Sequence, residues 1–429
     1  MHDIHPRKPW STVSAVSLGW LFGAVDIILL ILFQEEIARD LSVELQTVRI
    51  AIGVGLLGSA FGGLFFAQLG DRLGRVRALS ISIIIYSVAT GLMAFATTKM
   101  ELFGLRFIAG IGTGAEWSIG FALLSEVWPS KSRGAVGGLV AAMFNLGTFV
   151  AILFFHSSLG WRWSFGIMLA PALFAIVLRR LIPESSIWLE FDQSRRAGTL
   201  SETLENQVKR PPIVAAFRGS AKWLTLRTTL IFAVMNLGFY SFSTVFINFL
   251  KASTDTDGGL GLTKEEQLPF HLALNIAGLM SVILAGWLSD KIGRRKAFVA
   301  FCTIGVIGFW WLTAEMSKLP SVTPPGYEAT LIGAFAMCCM GFGVNGVMGV
   351  FTPELFPTYL RSTGPGVSQN VGKGIGGLMG PPAAGALVAS HGYQFVLGLP
   401  LWVFLAIALL IWTLPEVAGR SLKLTNDEN

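Results

Sequence analysis

Apolar runs of about twenty residues, separated by short polar segments, recur from near the N-terminus to Leu414. At a rise of about 1.5 Å per residue, a helix of this length crosses the ~30 Å hydrocarbon core of a bilayer. We therefore predict an all-α integral membrane protein with twelve transmembrane helices. The predicted spans are residues 13–34, 48–70, 77–97, 102–126, 134–157, 161–182, 224–250, 268–289, 296–315, 329–351, 362–390 and 393–414.

A polar stretch rich in Arg, Glu, Ser and Thr separates the sixth predicted span from the seventh. It occupies residues 183–222 and is expected to form a cytoplasmic linker that carries short surface helices. We expect one six-helix bundle in residues 1–182 and a second in residues 223–429. The chain is therefore predicted to consist of two halves with the same number of spans.

The composition indicates that lipid is the solvent of this chain. Of its 429 residues, 53% are hydrophobic and only 14% are charged, which is more apolar surface than a soluble core buries. The net charge of +6 is carried by Lys and Arg in short loops, so it indicates topology rather than nucleic-acid binding. Placing the basic loops inside puts both termini in the cytoplasm, with the protein in the plasma membrane, or in the inner membrane of a Gram-negative cell.

The sequence gives no support for catalytic or metal chemistry. Cys302, Cys338 and Cys339 lie in apolar runs without metal-ligand or disulfide spacing. The chain also shows no nucleophile–base pair, nucleotide-binding loop or metal-ligand cluster. We therefore expect neither an enzyme nor a bound metal or cofactor, and we expect the protein to function as a monomer in the bilayer.

Three short motifs occur once in each half and in the same order. Residues 70–75 recur at 289–295, residues 125–129 recur at 353–357, and a Pro-Glu pair follows both the sixth and the twelfth span. One ancestral six-span unit explains this repeat. Glycine permits close helix approach, and an Asp can interact with a helix N-terminus and a neighbouring base. We expect these motifs to close the cytoplasmic side through Gly70, Asp71, Arg72, Gly74, Arg75, Glu126, Arg133, Gly286, Asp290, Lys291, Gly293, Arg294, Arg295, Glu354 and Arg361.

The repeated loop motif resembles that of the major facilitator superfamily, which reads G-x-x-x-D-R/K-x-G-R-R/K. Residues 286–295 fit it fully, whereas the first copy has Ala67 and Val76 at two of its positions. The resemblance implies two pseudo-symmetric six-helix bundles around a central cavity that opens alternately to each side. Span one with Asp26, and Gly-Ala-Glu-Trp at 114–117, look most similar to the sialate, lactate and general metabolite:proton symporters. The Pro-Glu-Ser-Ser sequence at 183–186 is similar to sugar porters.

Four charged residues lie within predicted spans, where an unpaired charge costs a few kcal/mol. Asp26 is a candidate proton carrier, because a buried carboxylate is readily switched between its charged and neutral forms. Arg106 and Glu116 share span four but lie ~15 Å apart in depth, so they cannot pair directly. Arg106 can neutralise Asp26 or hold an anion, and the family associates an arginine at this place with proton coupling; Glu116 is a second candidate proton site. Lys373 has glycine on both sides, and we predict that it binds a substrate carboxylate.

Polar side chains at cavity depth are candidates for hydrogen bonds to the solute, namely Asn145, Asn236, Tyr240, Asn345, Gln369 and Asn370. The two cations at this depth, Lys373 and Arg106, favour an anionic substrate. We therefore predict a secondary transporter that takes up a small organic anion, such as a monocarboxylate, a sialate-like acid or an aromatic acid, together with protons. Proton-coupled transport of a sugar or polyol is the alternative, and a membrane sensor that does not transport is a further one.

Overall fold

The computed structural model describes residues 9–173, 182–252, 258–318 and 327–420, and it confirms the predicted all-α fold class. In the first half the helices are α1 (Pro9–Leu32), α2 (Gln34–Asp40), α3 (Leu45–Leu73), α4 (Arg75–Leu92), α5 (Lys99–Val127), α6 (Arg133–His156) and α7 (Gly160–Gly166). They are followed by α8 (Ser186–Ala197), α9 (Glu202–Val208), α10 (Pro212–Ala216), α11 (Gly219–Lys251), α12 (Lys264–Ile292), α13 (Arg294–Met316), α14 (Tyr327–Gly341), α15 (Val344–Leu355), α16 (Thr363–Gly398) and α17 (Pro400–Leu410).

Within the described ranges, nine helical segments are long and apolar enough to cross a membrane, and α16 with α17 forms a tenth that is bent by 50°. The sixth predicted span begins in α7 and continues into residues 174–181, which lie outside the described residues. The tenth predicted span is divided between α14 and α15. The break predicted between spans eleven and twelve falls at Gly392, whose φ of 79° is a conformation that glycine adopts without strain.

Helix boundaries follow from capping and turn chemistry at matching places in the two halves. Thr98 and Glu101 form a capping box at the start of α5, which satisfies backbone N–H groups that have no partner within the helix. Thr263 and Glu266 do the same at the start of α12. The α3–α4 and α12–α13 junctions each turn at a glycine with positive φ, 107° at Gly74 and 96° at Gly293. We call the end of the molecule that carries these two turns the motif side.

Close helix crossings fix the depth of α5, which carries two of the predicted site residues. A Cβ atom at Gly62 of α3 would lie 1.9 Å from the carbonyl oxygen of Ile111. A Cβ atom at Gly110 of α5 would lie 2.1 Å from the carbonyl oxygen of Gly55. Only glycine allows the two backbones to approach this closely. The contact between α3 and α5 therefore sets where Arg106 and Glu116 stand.

The segment between the two halves carries the short helices α8, α9 and α10. The next long helix, α11, begins at Gly219, a few residues before the expected start of the second bundle at residue 223. On α8, the indole nitrogen of Trp188 donates a hydrogen bond of 2.9 Å to the backbone oxygen of Asp71. This part of the segment therefore packs against the motif side of the first half.

Candidate functional site

A cavity of about 1620 Å³ lies between the two halves. It is lined by α1, α2, α3, α5 and α6 from the first half and by α11, α12, α14, α15, α16 and α17 from the second. Exposed charged residues, including Glu35, Arg39 and Lys251, line its outer end, so the cavity reaches the surface opposite the motif side. This volume exceeds the roughly 300–1,000 Å³ of a typical ligand pocket, because the cavity includes its own entrance.

On the motif side, an Asp from each half binds the N-terminus of a helix in the other half. Asp71 of α3 accepts hydrogen bonds from the backbone N–H groups of Ser362 at 3.1 Å and Thr363 at 2.8 Å, and from the Thr363 hydroxyl at 2.7 Å. Asp290 of α12 accepts hydrogen bonds of 2.8 Å from the N–H groups of Gly134 and Ala135. Both contacts place a carboxylate where the helix dipole favours negative charge. The two halves are therefore joined at this side by related contacts.

A buried charge network accompanies each of these contacts. The guanidinium of Arg75 binds Glu126 at 3.0 Å, and Arg361 from the second half binds the same carboxylate at 3.2 Å. The equivalent network pairs Glu354 with Arg294 at 3.0 Å and with Arg133 from the first half at 2.9 Å. Because each carboxylate holds one arginine from each half, both networks require the motif side to be closed.

Other predicted gate residues lie around these networks. Arg72 and Lys291 are exposed and make none of the buried ion pairs. A Cβ atom at Gly70 would lie 3.2 Å from the side chain of Ile119. A Cβ atom at Gly286 would lie 2.4 Å from the backbone oxygen of Gly134. The two glycines therefore serve close packing. The remaining member, Arg295, lies 3.9 Å from Glu416.

Glu184 and Glu416 extend the two networks, a role that the sequence did not predict for them. The carboxylate of Glu184 accepts a hydrogen bond of 2.8 Å from the N–H of Arg75, and Glu416 accepts one of 3.1 Å from the N–H of Arg294. Burial raises the pKa of Glu184 despite its hydrogen bonds. At the less buried Glu416, burial also acts to raise the pKa, but backbone hydrogen bonds outweigh it and the pKa is lowered. The signal was present in the sequence as the repeated Pro-Glu pair.

Asp26 and Arg106 form a buried ion pair deep in the first half. The two guanidinium Nη atoms of Arg106 bind the two carboxylate oxygens at 2.7 and 3.0 Å. The hydroxyl of Thr90 donates a further hydrogen bond of 2.6 Å to Asp26. Asp26 is fully buried and does not line the large cavity. The pair is therefore internally neutralised, and Thr90 is a partner that the sequence did not single out.

Glu116 is also buried, at 3% exposure, but its carboxylate forms no ion pair with a described residue. Neither of its oxygens accepts a hydrogen bond from the described residues. The hydroxyl of Tyr86 is close enough to donate a hydrogen bond to this carboxylate, although in this conformation it is directed to the backbone oxygen of Gly19 at 3.4 Å. A Cβ atom at Gly23 would lie only 2.5 Å from one Glu116 oxygen, so this glycine makes room for the carboxylate. Glu116 lines the large cavity.

Lys373 reaches from α16 of the second half towards the first half. Its ammonium group lies 3.2 Å from the hydroxyl of Ser59 on α3, and the carboxylates of Glu116 and Asp26 both act on its charge. Lys373 lines the large cavity and also a space of about 10 Å³ that it shares with Arg106 and Thr113. A space of that size holds about one water molecule.

Five of the six predicted polar residues line the cavity, namely Asn145, Asn236, Tyr240, Asn345 and Gln369. Asn236 donates an amide hydrogen to the backbone oxygen of Phe232 on its own helix, and Asn345 donates one to the backbone oxygen of Phe342 between α14 and α15. Gln369 has a buried side-chain oxygen without a partner among the described residues. Asn370 differs, because it is buried away from the cavity and donates hydrogen bonds to the backbone oxygens of Gly114 and Gly366. Its side chain therefore joins α5 to α16, and its predicted role in substrate binding receives no support.

Aromatic side chains form much of the apolar wall beside Glu116. Trp20 and Trp117 meet edge to face with their ring centroids 5.2 Å apart, and Phe144 packs against Trp20 at 5.5 Å. All three line the cavity, and the indole nitrogen of Trp117 is buried without a partner among the described residues. None of the three is among the residues that the sequence analysis assigned to an anionic substrate.

The comparisons with known proteins agree with this architecture. The family model described as "Sugar (and other) transporter" matches residues 18–428. A putative metabolite transport protein of Haemophilus influenzae is 29% identical over 96% of this chain and 98% of its own length. The sialic acid transporter NanX of Escherichia coli is 28% identical over 95% of this chain and 94% of its own length.

A solved structure agrees as well. The major facilitator superfamily proton:xylose symporter XylE, bound to 6-bromo-6-deoxy-D-glucose, superimposes with a TM-score of 0.74 over 96% of this chain and 97% of its own. At 20% identity this likeness shows the fold alone. The fold is thus the two six-helix bundles of the major facilitator fold. The protein is a multi-pass membrane protein rather than an enzyme, and the chain belongs to the sugar (and other) transporter family.

Proposed function

We propose that this chain is a proton-coupled symporter that takes up a small organic anion by alternating access. The observation that carries the proposal is Lys373, a cation that lines the central cavity together with Glu116, whose carboxylate oxygens have no hydrogen-bond partner among the described residues. A buried charge in a membrane span usually marks a substrate or ion pathway. The sialic acid transporter NanX among the relatives is named for an organic acid, which supports the same substrate class.

The substrate carboxylate is expected to bind the ammonium group of Lys373. A charge-assisted hydrogen bond at this depth gives orientation as well as affinity. Asn236, Asn345 and Gln369 then supply hydrogen bonds to the rest of the solute, since each has an amide group at the cavity wall. Arg106 is held by Asp26 and contributes through the field of the pair rather than by direct contact.

Proton coupling in this proposal uses the acidic residues of the first half, Asp26 and Glu116, with Arg106 as the partner of Asp26. The two bundles, residues 1–182 and 223–429, rock about the central site while residues 183–222 join them. In the conformation described here the motif side is closed and the cavity is open opposite it. With both termini in the cytoplasm of a plasma or bacterial inner membrane, the cavity faces outward and is ready to bind substrate. The working unit is proposed to be a monomer.

Transport of a neutral sugar or polyol is the second candidate. Trp20 and Trp117 beside the unpartnered oxygen of Gln369 are the kinds of group that bind a carbohydrate. A sugar leaves the charge of Lys373 without a function, however, and this is the reason for preferring an anion.

The test is uptake into cells that express the chain, with nicotinate, lactate, N-acetylneuraminate, cis,cis-muconate and xylose offered one at a time. We expect labelled carboxylate to enter while the external medium becomes more alkaline. Lys373→Met should raise the KM for the carboxylate by about 10- to 100-fold, because a hydrogen bond to a charged group contributes about 1.5–3 kcal/mol.

The matched control is Lys99→Met, which alters an exposed lysine at the start of α5. This variant should transport like the parent. Uptake of xylose alone, or carboxylate uptake that is the same in Lys373→Met and in the parent, would contradict the proposal.

A further inference from the structure

Glu116 and Lys373 face one another across the cavity from opposite halves of the molecule. Glu116 stands on α5, and Lys373 on α16 between Gly372 and Gly374. Both line the same cavity, and Glu116 and Asp26 are carboxylates whose charges act on the ammonium group. The ammonium group donates its hydrogen bond to Ser59, and the Glu116 oxygens have no hydrogen-bond partner among the described residues. A substrate carboxylate can therefore reach Lys373 without first displacing Glu116.

Every other charged group near Glu116 already has a partner or is neutral. On α1, Asp26 is paired with Arg106 of α5, whose two Nη atoms donate hydrogen bonds to the two carboxylate oxygens. On α4, the nearest titratable group is the hydroxyl of Tyr86. On α16, the charged group that interacts with Glu116 is the ammonium of Lys373. We call the inner end of the cavity, around Glu116 and Lys373, the cavity floor. Among the described residues there, the net charge therefore depends on these two groups alone.

A count of charges shows what binding an anion does to this balance. In the empty site, the negative Glu116 offsets the positive Lys373. When a carboxylate binds Lys373, Glu116 is left as an uncompensated buried charge, which is costly in a membrane interior. Glu116 removes that cost by taking a proton from the cavity water onto a carboxylate oxygen. When the anion leaves on the other side, the offset by Lys373 favours release of the same proton.

We propose that Glu116 is the proton site coupled to the substrate through Lys373, and that one proton accompanies each monovalent anion. This inference rests on the proposed function, anion transport, and adds its charge stoichiometry. The cavity floor then carries the same net charge whether it is empty or loaded, so the transport cycle moves no net charge across the membrane. Of the two carboxylates proposed above for proton coupling, this cycle assigns the exchanged proton to Glu116, and Asp26 keeps its pairing with Arg106.

The arrangement also selects the charge of the substrate. A monovalent anion is balanced by Lys373 once Glu116 is protonated. A dianion leaves one negative charge uncompensated, and a neutral solute gives Glu116 no cause to take up a proton. The preferred substrates are therefore small monovalent carboxylates, and dicarboxylates should be transported poorly at a pH where both groups are ionised.

The test uses the purified full-length chain in proteoliposomes, with the pH gradient and the membrane potential set independently by buffer and by a potassium gradient with valinomycin. The probes are labelled nicotinate and N-acetylneuraminate, with cis,cis-muconate and xylose alongside. One unit of inside-alkaline pH gradient should accumulate the monovalent anions about tenfold by mass action. A potential of 100 mV should leave this accumulation unchanged, whereas a cycle that moves one charge would shift it about 50-fold.

Glu116→Gln tests the residue itself, since glutamine has the shape of the protonated acid. Its empty site carries the unbalanced charge of Lys373, so return of the empty carrier should be slow. Exchange of internal for external nicotinate should persist, while net uptake driven by the pH gradient should fall at least about tenfold. The control Glu190→Gln makes the same chemical change at an exposed position on α8 and should retain both activities.

The possible failures are distinguishable. Transport of xylose but of none of the anions would refute the proposed function and this inference together. Anion transport that changes about 50-fold with 100 mV would refute the electroneutral cycle alone. Net proton-driven uptake that survives in Glu116→Gln would show that the proton site is another residue, and it would refute this inference. The first two measurements use the parent protein, so they test the inference even if the variant folds poorly.

Discussion

Removing the charge of Asp71 should open the motif side. In the structure this carboxylate accepts three hydrogen bonds from Ser362 and Thr363 at the start of α16, which belongs to the other half. Its side chain is also 3.1 Å from the guanidinium of Arg75. Asp71→Asn keeps the size of the side chain but replaces one acceptor oxygen with an amide donor, which then faces a backbone N–H group.

The size of the effect follows from these contacts. The variant loses the charge at the helix N-terminus and at least one charge-assisted hydrogen bond, which contributes about 1.5–3 kcal/mol, while the helix dipole adds about 0.3–1 kcal/mol. A total near 3 kcal/mol changes the ratio of open to closed molecules about 100-fold. These contacts exist only when the motif side is closed, so losing them destabilises the closed state relative to the open one. A population of 1% open would become about equally open and closed.

Distances between two spin labels on the motif side measure this change. Lys131 follows α5 in the first half, Lys296 lies near the start of α13 in the second, and both side chains are exposed. Each is replaced by cysteine and labelled, in a background where the three native cysteines are replaced by serine or alanine. Electron–electron double resonance on detergent-solubilised protein should show a longer-distance population in Asp71→Asn that is minor in the parent.

The repeat provides a matched comparison. Asp290 makes the equivalent contact to Gly134 and Ala135 in the opposite direction, so Asp290→Asn should produce a shift of the same sign. Glu190→Gln on the exposed face of α8 should leave the distances unchanged. Identical distance distributions in the parent and in both Asp variants would refute the view that these contacts hold the motif side closed.

Two further predictions concern stability. Gly62→Ala should lower the thermal unfolding temperature, because its Cβ atom would lie 1.9 Å from the backbone oxygen of Ile111 and overpacking costs about 1–3 kcal/mol; Gly53→Ala on the same helix meets no atom within 4 Å and should not. The lowered pKa of Glu416 means that its contribution is present above the usual glutamate pKa of about 4.3 and is lost as pH falls. Glu416→Gln should therefore melt below the parent at pH 7, with a difference that shrinks below about pH 4; equal differences at both pH values would contradict this.

The number of spans, the division into halves and the repeated loop motifs were all predictable from the sequence. A hydrocarbon environment requires each span to be a helix of about twenty apolar residues, so each span can be recognised from its own segment of sequence. Charges such as Asp26 and Lys373 stood out for the same reason, since a charged residue within an apolar run is rare. The repeat made Asp71 and Asp290 recognisable as equivalents before any contact was known.

The partners of these residues were decided only by the tertiary structure. The sequence offered both Asp26 and Glu116 as proton sites, and the distinction between them depends on which carboxylate meets Arg106. That meeting is set by the crossing of α3 and α5 at glycines and by the rotation of α1, neither of which a single helix specifies. Asn370 shows the same limit, because its position along α16 suggested the cavity and its direction proved to be towards α5. A sequence determines which residues lie at a given depth, and packing between helices determines which way they face.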